Sequence, residues 1–112
     1  MARSRVGIDI ESVERFRTLL KKKNITALKR LFTGREMTYC LSYRDSAPHF
    51  AGFFAAKEAA SKALGVQKFP VLSLEIRHSA DGAPHVWRGG RRVRIELSIT
   101  HTPTIAAAVA SV

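Results

Sequence analysis

The sequence predicts an α+β domain: one strand at the N-terminus, a block of helices, then a block of strands. Three observations carry that prediction. The stretch from Phe50 to Gly65, FAGFFAAKEAASKALG, is rich in alanine and phenylalanine with only three charges, which is the composition of a helix mostly buried in a core. After Gly65 the hydrophobic period falls to two, with Leu72, Leu74 and Ile76 alternating with Ser73, Glu75 and Arg77. Before Phe50 the chain is punctuated by helix-start signals rather than by turn residues of hairpins. At 112 residues it forms one domain, 1–112, and buries roughly two-thirds of its unfolded surface without needing a disulfide or a structural metal.

Taken in order, Val6 to Ile10 is a short apolar strand interrupted by Asp9. Ser12 to Lys23 is a basic amphipathic helix with Val13, Phe16 and Leu20 as its apolar stripe and Arg15 and Lys22 on another face. Asn24 caps a short helix that runs to Phe32. Thr33-Gly34-Arg35-Glu36 has the spacing of a capping box, Thr33 and Glu36 each taking up a backbone amide at the next helix start, so Glu36 reads as structural. Arg44 to Pro48 is a polar connector. Pro48 needs no amide partner in the first turn of the central helix, and Gly65 suits the left-handed position that closes it. Leu72 to Arg77 reads as a strand, Ala80 to Ala83 as a turn, His85 to Arg88 as a strand, Gly89-Gly90 as a tight turn, Arg91 to Thr100 as one further strand, and Ile105 to Val112 as the last.

The formal charge of +10, from 19 Lys and Arg against nine Asp and Glu, calls for a polyanionic partner. Aromatic residues do not alternate with the basic ones, and no zinc-finger or RNP signature appears, so the anion is not expected to be nucleic acid. Cys40 is the lone cysteine and forms no internal bridge. Met1 to Arg5 is basic but lacks the apolar run of a secretory signal, and Ile105 to Val112 is far short of a membrane span. A soluble, cytoplasmic protein that engages no membrane is expected.

Lys57, Glu58 and Lys62 sit in the central helix where burial should exclude charge, and Asp9 and His101 also stand out against their surroundings. Asp9 is out of place in its strand: it reads as a helix N-terminal carboxylate, a paired buried charge, or a functional group. Glu58 and Lys62 lie four apart, so they share one helix face and have the spacing of a stabilising ion pair. His101 ends a strand between Thr100 and Thr102, a compact set of donors for a phosphate. His49, His78 and His85 show no spacing that suggests a metal site.

Gly7-Ile8-Asp9-Ile10, Phe54-Ala55-Ala56-Lys57-Glu58-Ala59 and Ser98-Ile99-Thr100-His101-Thr102, in this order and in a basic chain of this length, closely resemble the holo-[acyl-carrier-protein] synthases. These form the small branch of the 4′-phosphopantetheinyl transferases. The resemblance runs from about Val6 to Val112, and FAAKEAASKALG is its most specific piece. It implies the 4′-phosphopantetheinyl transferase fold, with the N-terminal strand and helices and a long central helix packed on an antiparallel sheet. It implies transfer of the phosphopantetheine arm of coenzyme A to a serine of an apo acyl carrier protein, releasing 3′,5′-ADP, in fatty acid biosynthesis. Asp9 and Glu58 match the family's Mg²⁺ ligands, and magnesium favours hard oxygen donors of this kind. Lys62 matches a lysine on coenzyme A phosphate. His101 and Thr102 match a segment near the nucleotide 3′-phosphate, and Gly82 and Pro84 a turn flanking the nucleotide. Arg15, and more weakly Lys22, match positions that engage the acidic carrier. The family forms homotrimers with coenzyme A between subunits, so these residues are expected to be shared between chains.

The chain departs from the family pattern at Phe53, where arginine is common, at Ala60, commonly bulky, and in the short segment Trp87 to Val93. Arg88, Arg91 and Arg92 are the candidates to replace the missing arginine. The proton acceptor for the serine stays open between a metal-held water, Glu58 and Glu36. Two rival readings remain: a small basic nucleic-acid-binding domain, and a catalytically inactive relative that keeps coenzyme A or carrier binding. The first explains the charge but not Asp9 and Glu58, since carboxylates oppose phosphate binding unless a cation intervenes.

Overall fold

A computed structural model describes residues 5–65 and 70–112. The basic run Met1 to Arg5 lies outside them except for Arg5. The elements are β1 (Val6–Ser12), α1 (Val13–Lys21), α2 (Ile25–Leu31), α3 (Gly34–Leu41), α4 (Ala47–Leu64), a single 3₁₀ turn (Val71–Ser73), β2 (Leu74–His78), β3 (Pro84–Arg88), β4 (Arg91–Arg92), β5 (Glu96–His101) and β6 (Ile105–Ser111). Among them, no helix is long and apolar enough to cross a membrane.

Helix α4 is the central element and is buried on almost every side. Pro48 sits in its first turn, and Gly65 closes it at φ 73°, donating its amide to Lys62 and Ser61 carbonyls. Against it lies a three-stranded antiparallel sheet in the order β1-β6-β5. Small residues make the close packing possible: Ala106, Ala108 and Ala110 of β6 are all buried. At Gly7 the fit admits no side chain, because a Cβ there would lie 1.9 Å from the Ala59 carbonyl oxygen.

The antiparallel pairing expected from the sequence is divided over two sheets, the second having the order β2-β3-β4. The expected single strand from Arg91 to Thr100 is the place of division. Val93 donates to Val86 and Ile95 to Val93 two residues back, a tight reversal that carries Ile95 into the core and ends β4 after two residues. The expected strand at Leu72 begins at Leu74, because Ser73 folds back on the Pro70 carbonyl through both its amide and its hydroxyl. Strand β1 runs on through Ser12 rather than stopping at Ile10, and α1 stops at Lys21, followed by Lys23 at φ 51°.

Thr33 and Glu36 form the expected capping box. Glu36 does more than cap. It is fully buried, accepts from the Ile76 amide at 2.8 Å, and meets the fully buried Lys57 ammonium at 2.5 Å. Lys57 also donates to the Leu31 carbonyl at 2.7 Å and lies over the Phe32 ring. One pair therefore ties α4 to α2, α3 and β2 and fixes its rotation. With Lys57 held inward, the next residue, about 100° further round the helix, is presented to β1.

Candidate functional site

Period two along β1 turns Gly7, Asp9 and Glu11 toward α4 and leaves Val6, Ile8 and Ile10 on the outer face. On α4, Glu58 and Lys62 lie one turn apart on the side that meets this row. Lys62 Nζ donates to the Ile8 carbonyl at 2.9 Å and stands 3.5 Å from Asp9 Oδ1. The helix-surface ion pair between Glu58 and Lys62 is thus replaced by a reach across to the strand. Asp9 is no helix N-terminal carboxylate; it is a half-buried strand residue whose Oδ2 is buried with no hydrogen-bond partner.

Glu11 joins this cluster. Burial, then a hydrogen bond with Asp9 and its charge, push the Glu11 carboxyl up to about 7, against the pull of Arg15. Glu58 is likewise raised, by burial and by Asp9. Arg15 bonds Glu11 Oε1 at 3.4 Å and lays its guanidinium over the rings of Phe54 and Phe16, so it borders the carboxylates directly. Three carboxylates thus face two cations, with one carboxylate oxygen unpaired. That charge balance fits a bound divalent cation. No group of three His, Cys, Asp or Glu among the described residues is placed to hold a metal by itself. Asp9 and Glu58, the pair that the resemblance matches to metal ligands, stand close enough for the charge of one to raise the carboxyl of the other.

The sequence reading missed Glu11. The signal was present: a strand continued by one residue places Glu11 on the same face as Asp9.

At the other end of α4 a cleft of about 170 Å³ is lined by Tyr39, Pro48, His49, Gly52, Phe53, His78, Ile99 and His101. Tyr39 stacks on His78 and Phe53, His49 stacks on Tyr43 at 3.5 Å, and His101 meets His49 edge-on at 5.4 Å. Histidines without any common sequence spacing are thus gathered in one place. Pro84 pairs with His78 in the β2–β3 ladder, and Gly82, at φ 87°, closes the turn between those strands, its amide donating to Ser79. Thr102 accepts from the Thr104 and Ile105 amides, so its hydroxyl shapes the β5–β6 turn beside His101.

Asp9, Glu58, Lys62 and Arg15 therefore stand together, while His101 and, through His78, Pro84 border the second cleft. Lys22 is the exposed C-cap residue of α1. His49 and Glu58 are nine residues apart, about two and a half helical turns, and so point to opposite sides of α4. Phe53 is buried in the ring stack. Glu36 is sealed in its salt bridge and is removed as a proton acceptor.

The family model of the 4′-phosphopantetheinyl transferase superfamily matches residues 5–110. A holo-[acyl-carrier-protein] synthase of Thermodesulfovibrio yellowstonii is 39% identical over 92% of each chain. One from a Thermoanaerobacter species is 41% identical over 94% of this chain and 83% of its own. Among solved structures, the Helicobacter pylori holo-[acyl-carrier-protein] synthase in complex with coenzyme A is 31% identical. It superimposes with a TM-score of 0.79 over 94% of this chain and 96% of its own.

Proposed function

The chain belongs to the 4′-phosphopantetheinyl transferase superfamily, in the branch of the holo-[acyl-carrier-protein] synthases, and from that premise we propose how it works. It moves the 4′-phosphopantetheine arm of coenzyme A onto a serine of an apo acyl carrier protein. The serine oxygen bonds to the phosphorus next to pantetheine as its proton passes to Glu58 or to a water, the bond from that phosphorus to the bridging oxygen breaks, and that oxygen leaves with 3′,5′-ADP. The observation that carries this reading is the unpaired, buried Asp9 Oδ2 beside Glu11 and Glu58.

Asp9 and Glu58 are the residues that would hold Mg²⁺. Bound there, the ion would supply charge neutralisation to the coenzyme A diphosphate under attack. Lys62 is already anchored on the Ile8 carbonyl, so its ammonium is oriented toward the same place and adds a compact positive charge for a phosphate oxygen. His101, Thr102, Gly82 and Pro84 serve the nucleotide end. Arg15 bridges the carboxylate site and the exposed face of α1, so its charge would greet an acidic carrier at the mouth of the site; Lys22 extends that face. The net charge of +10 suits both anionic substrates.

The assembly proposed is a homotrimer with its sites between subunits. Two features support a second copy. The outer face of the first sheet exposes Val6, Ile8 and Ile10, each about two-thirds accessible, beside Ile105 and Val109. The carboxylates and the nucleotide cleft also face away from each other on α4, so a long substrate cannot readily use both within one chain. Replacing Ile8 by Asp should give monomers in sedimentation and abolish coenzyme A binding.

The deciding experiment is intact-mass analysis of an apo acyl carrier protein incubated with this protein, coenzyme A and Mg²⁺. A gain of one phosphopantetheine, lost with EDTA, is expected. No gain despite coenzyme A binding would favour an inactive relative, and retention of DNA instead would favour the nucleic-acid reading.

A further inference from the structure

We infer that the buried Lys57–Glu36 pair positions the reacting groups: it sets the rotation of the second half of α4, and with it the place of Glu58 opposite Asp9. Both are positioning residues, acting through Glu58 and not on substrate. This inference rests on the transferase reading above and deepens it.

The two halves of α4 are gripped differently. In the first half, Phe50 packs on Phe32 with ring centroids 4.9 Å apart, Phe53 on Tyr39 at 5.1 Å and Phe54 on Phe16 at 5.7 Å. Rings of that size interlock with their neighbours and allow one fit. From Ala55 to Ala63 every apolar residue is alanine, and all five alanines are buried. Methyl groups on every face make a nearly smooth rod, which packs almost equally well at several rotations. Gly7 does not correct this. With no side chain, it sets how close β1 approaches the Ala59 carbonyl but grips nothing. The long side chains of this half are Lys57, Glu58 and Lys62, and the last two face β1. Lys62 reaches the Ile8 carbonyl from a side chain 44% exposed, free to follow a rotation. Lys57 is left to fix the angle.

Lys57 does so through partners on three elements. Its ammonium donates to the Leu31 carbonyl at the end of α2 at 2.7 Å and meets Glu36 of α3 at 2.5 Å. Glu36 is itself held by the Thr33 amide at 2.9 Å and by the Ile76 amide of β2 at 2.8 Å. Stability does not call for these charges. Burial works against both, pushing the Glu36 carboxyl up and the Lys57 ammonium down, and an apolar pair of similar size would fill the space without that cost. What an apolar pair lacks is direction, since hydrogen bonds to fixed backbone groups are met at one rotation only. Glu58 follows Lys57 by about 100° round the helix, so the angle set at Lys57 is the angle at which Glu58 meets Asp9.

The test replaces the pair in two ways. Glu36→Met with Lys57→Met fills the space without direction, whereas Glu36→Gln with Lys57→Gln keeps donors and acceptors without charge. The Met pair should unfold at a denaturant midpoint no lower than the parent's. Its kcat for transfer to the apo carrier should nonetheless fall about tenfold or more, with KM for the carrier within about threefold. The Gln pair should keep kcat within about threefold of the parent. Nuclear Overhauser contacts between Ala59 and Gly7 supply a readout that needs neither turnover nor metal: they should weaken in the Met pair and persist in the Gln pair. A Met pair with the parent's kcat and contacts overturns the inference. So does a Met pair that fails to fold, since the charges would then be a source of stability, and so does a Gln pair that loses as much as the Met pair. Absence of transfer in the parent itself would instead defeat the transferase reading, with the Overhauser contacts still deciding the role of the pair.

Discussion

Lys57 and Glu58 are neighbours on one helix, yet they belong to opposite kinds of polar site. Lys57 faces inward onto Glu36, where one positive charge meets one negative and backbone groups of Leu31, Thr33 and Ile76 complete the hydrogen bonds. Glu58 faces β1, where Asp9, Glu11 and Glu58 outnumber Lys62 and Arg15, and one carboxylate oxygen has no partner. Burial alone does not distinguish function from structure, since the structural pair is the more deeply buried. The distinction lies in completeness. A closed set of charges holds elements together, whereas an open one with an excess of one sign leaves room for a ligand of the opposite sign.

The comparison breaks first at Lys57. Its replacement by methionine leaves Glu36 buried without a countercharge, which should cost about 3–5 kcal/mol in denaturant unfolding. Replacing Glu36 by glutamine as well should recover much of that loss. A single variant as stable as the parent would mean the pair is not the clamp described above. Gly7→Ala comes next. The clash with the Ala59 carbonyl should cost about 1–3 kcal/mol and, by pushing β1 from α4, should reduce transfer beyond what lost stability explains.

The open cluster should respond in the reverse sense. Asp9→Asn and Glu58→Gln should leave stability within about 1 kcal/mol of the parent, or raise it, because each removes repulsion. Transfer should nonetheless fall by about a hundredfold or more. Loss of folding in either variant would erase the contrast with Lys57. The smallest effect is a pH dependence. Glu11 has its carboxyl raised from 4.5 to about 7, so between those values the folded protein binds more protons than the unfolded chain, and stability falls as pH rises. Mg²⁺ should flatten the upper part of that curve, and Glu11→Gln should remove the decline. A melting temperature with the same pH slope in parent and variant would exclude Glu11 as its source.

Much of this was legible in the residues. Thr33 and Glu36, three apart, announced a helix start, and Pro48 and Gly65 bracketed α4. Period two exposed the strands, and Asp9, Glu58 and Lys62 stood out as charges in apolar runs. These features depend on backbone groups and side chains within about four positions, so chain order suffices to read them. The partner of each charge did not follow from chain order. Lys62 could be read as paired with Glu58 but reaches the strand 53 residues away at Asp9. Lys57 finds Glu36, Glu11 finds the carboxylate face, and His49, His78 and His101 meet in one cleft. The sequence by itself thus determined the α+β order of elements and the residues that carry unusual charge. Tertiary structure decided which charges cancel and which remain open. That outcome depends on how α4 is rotated against β1 and where β1 ends, and a shift of one residue in either changes which side chains face each other.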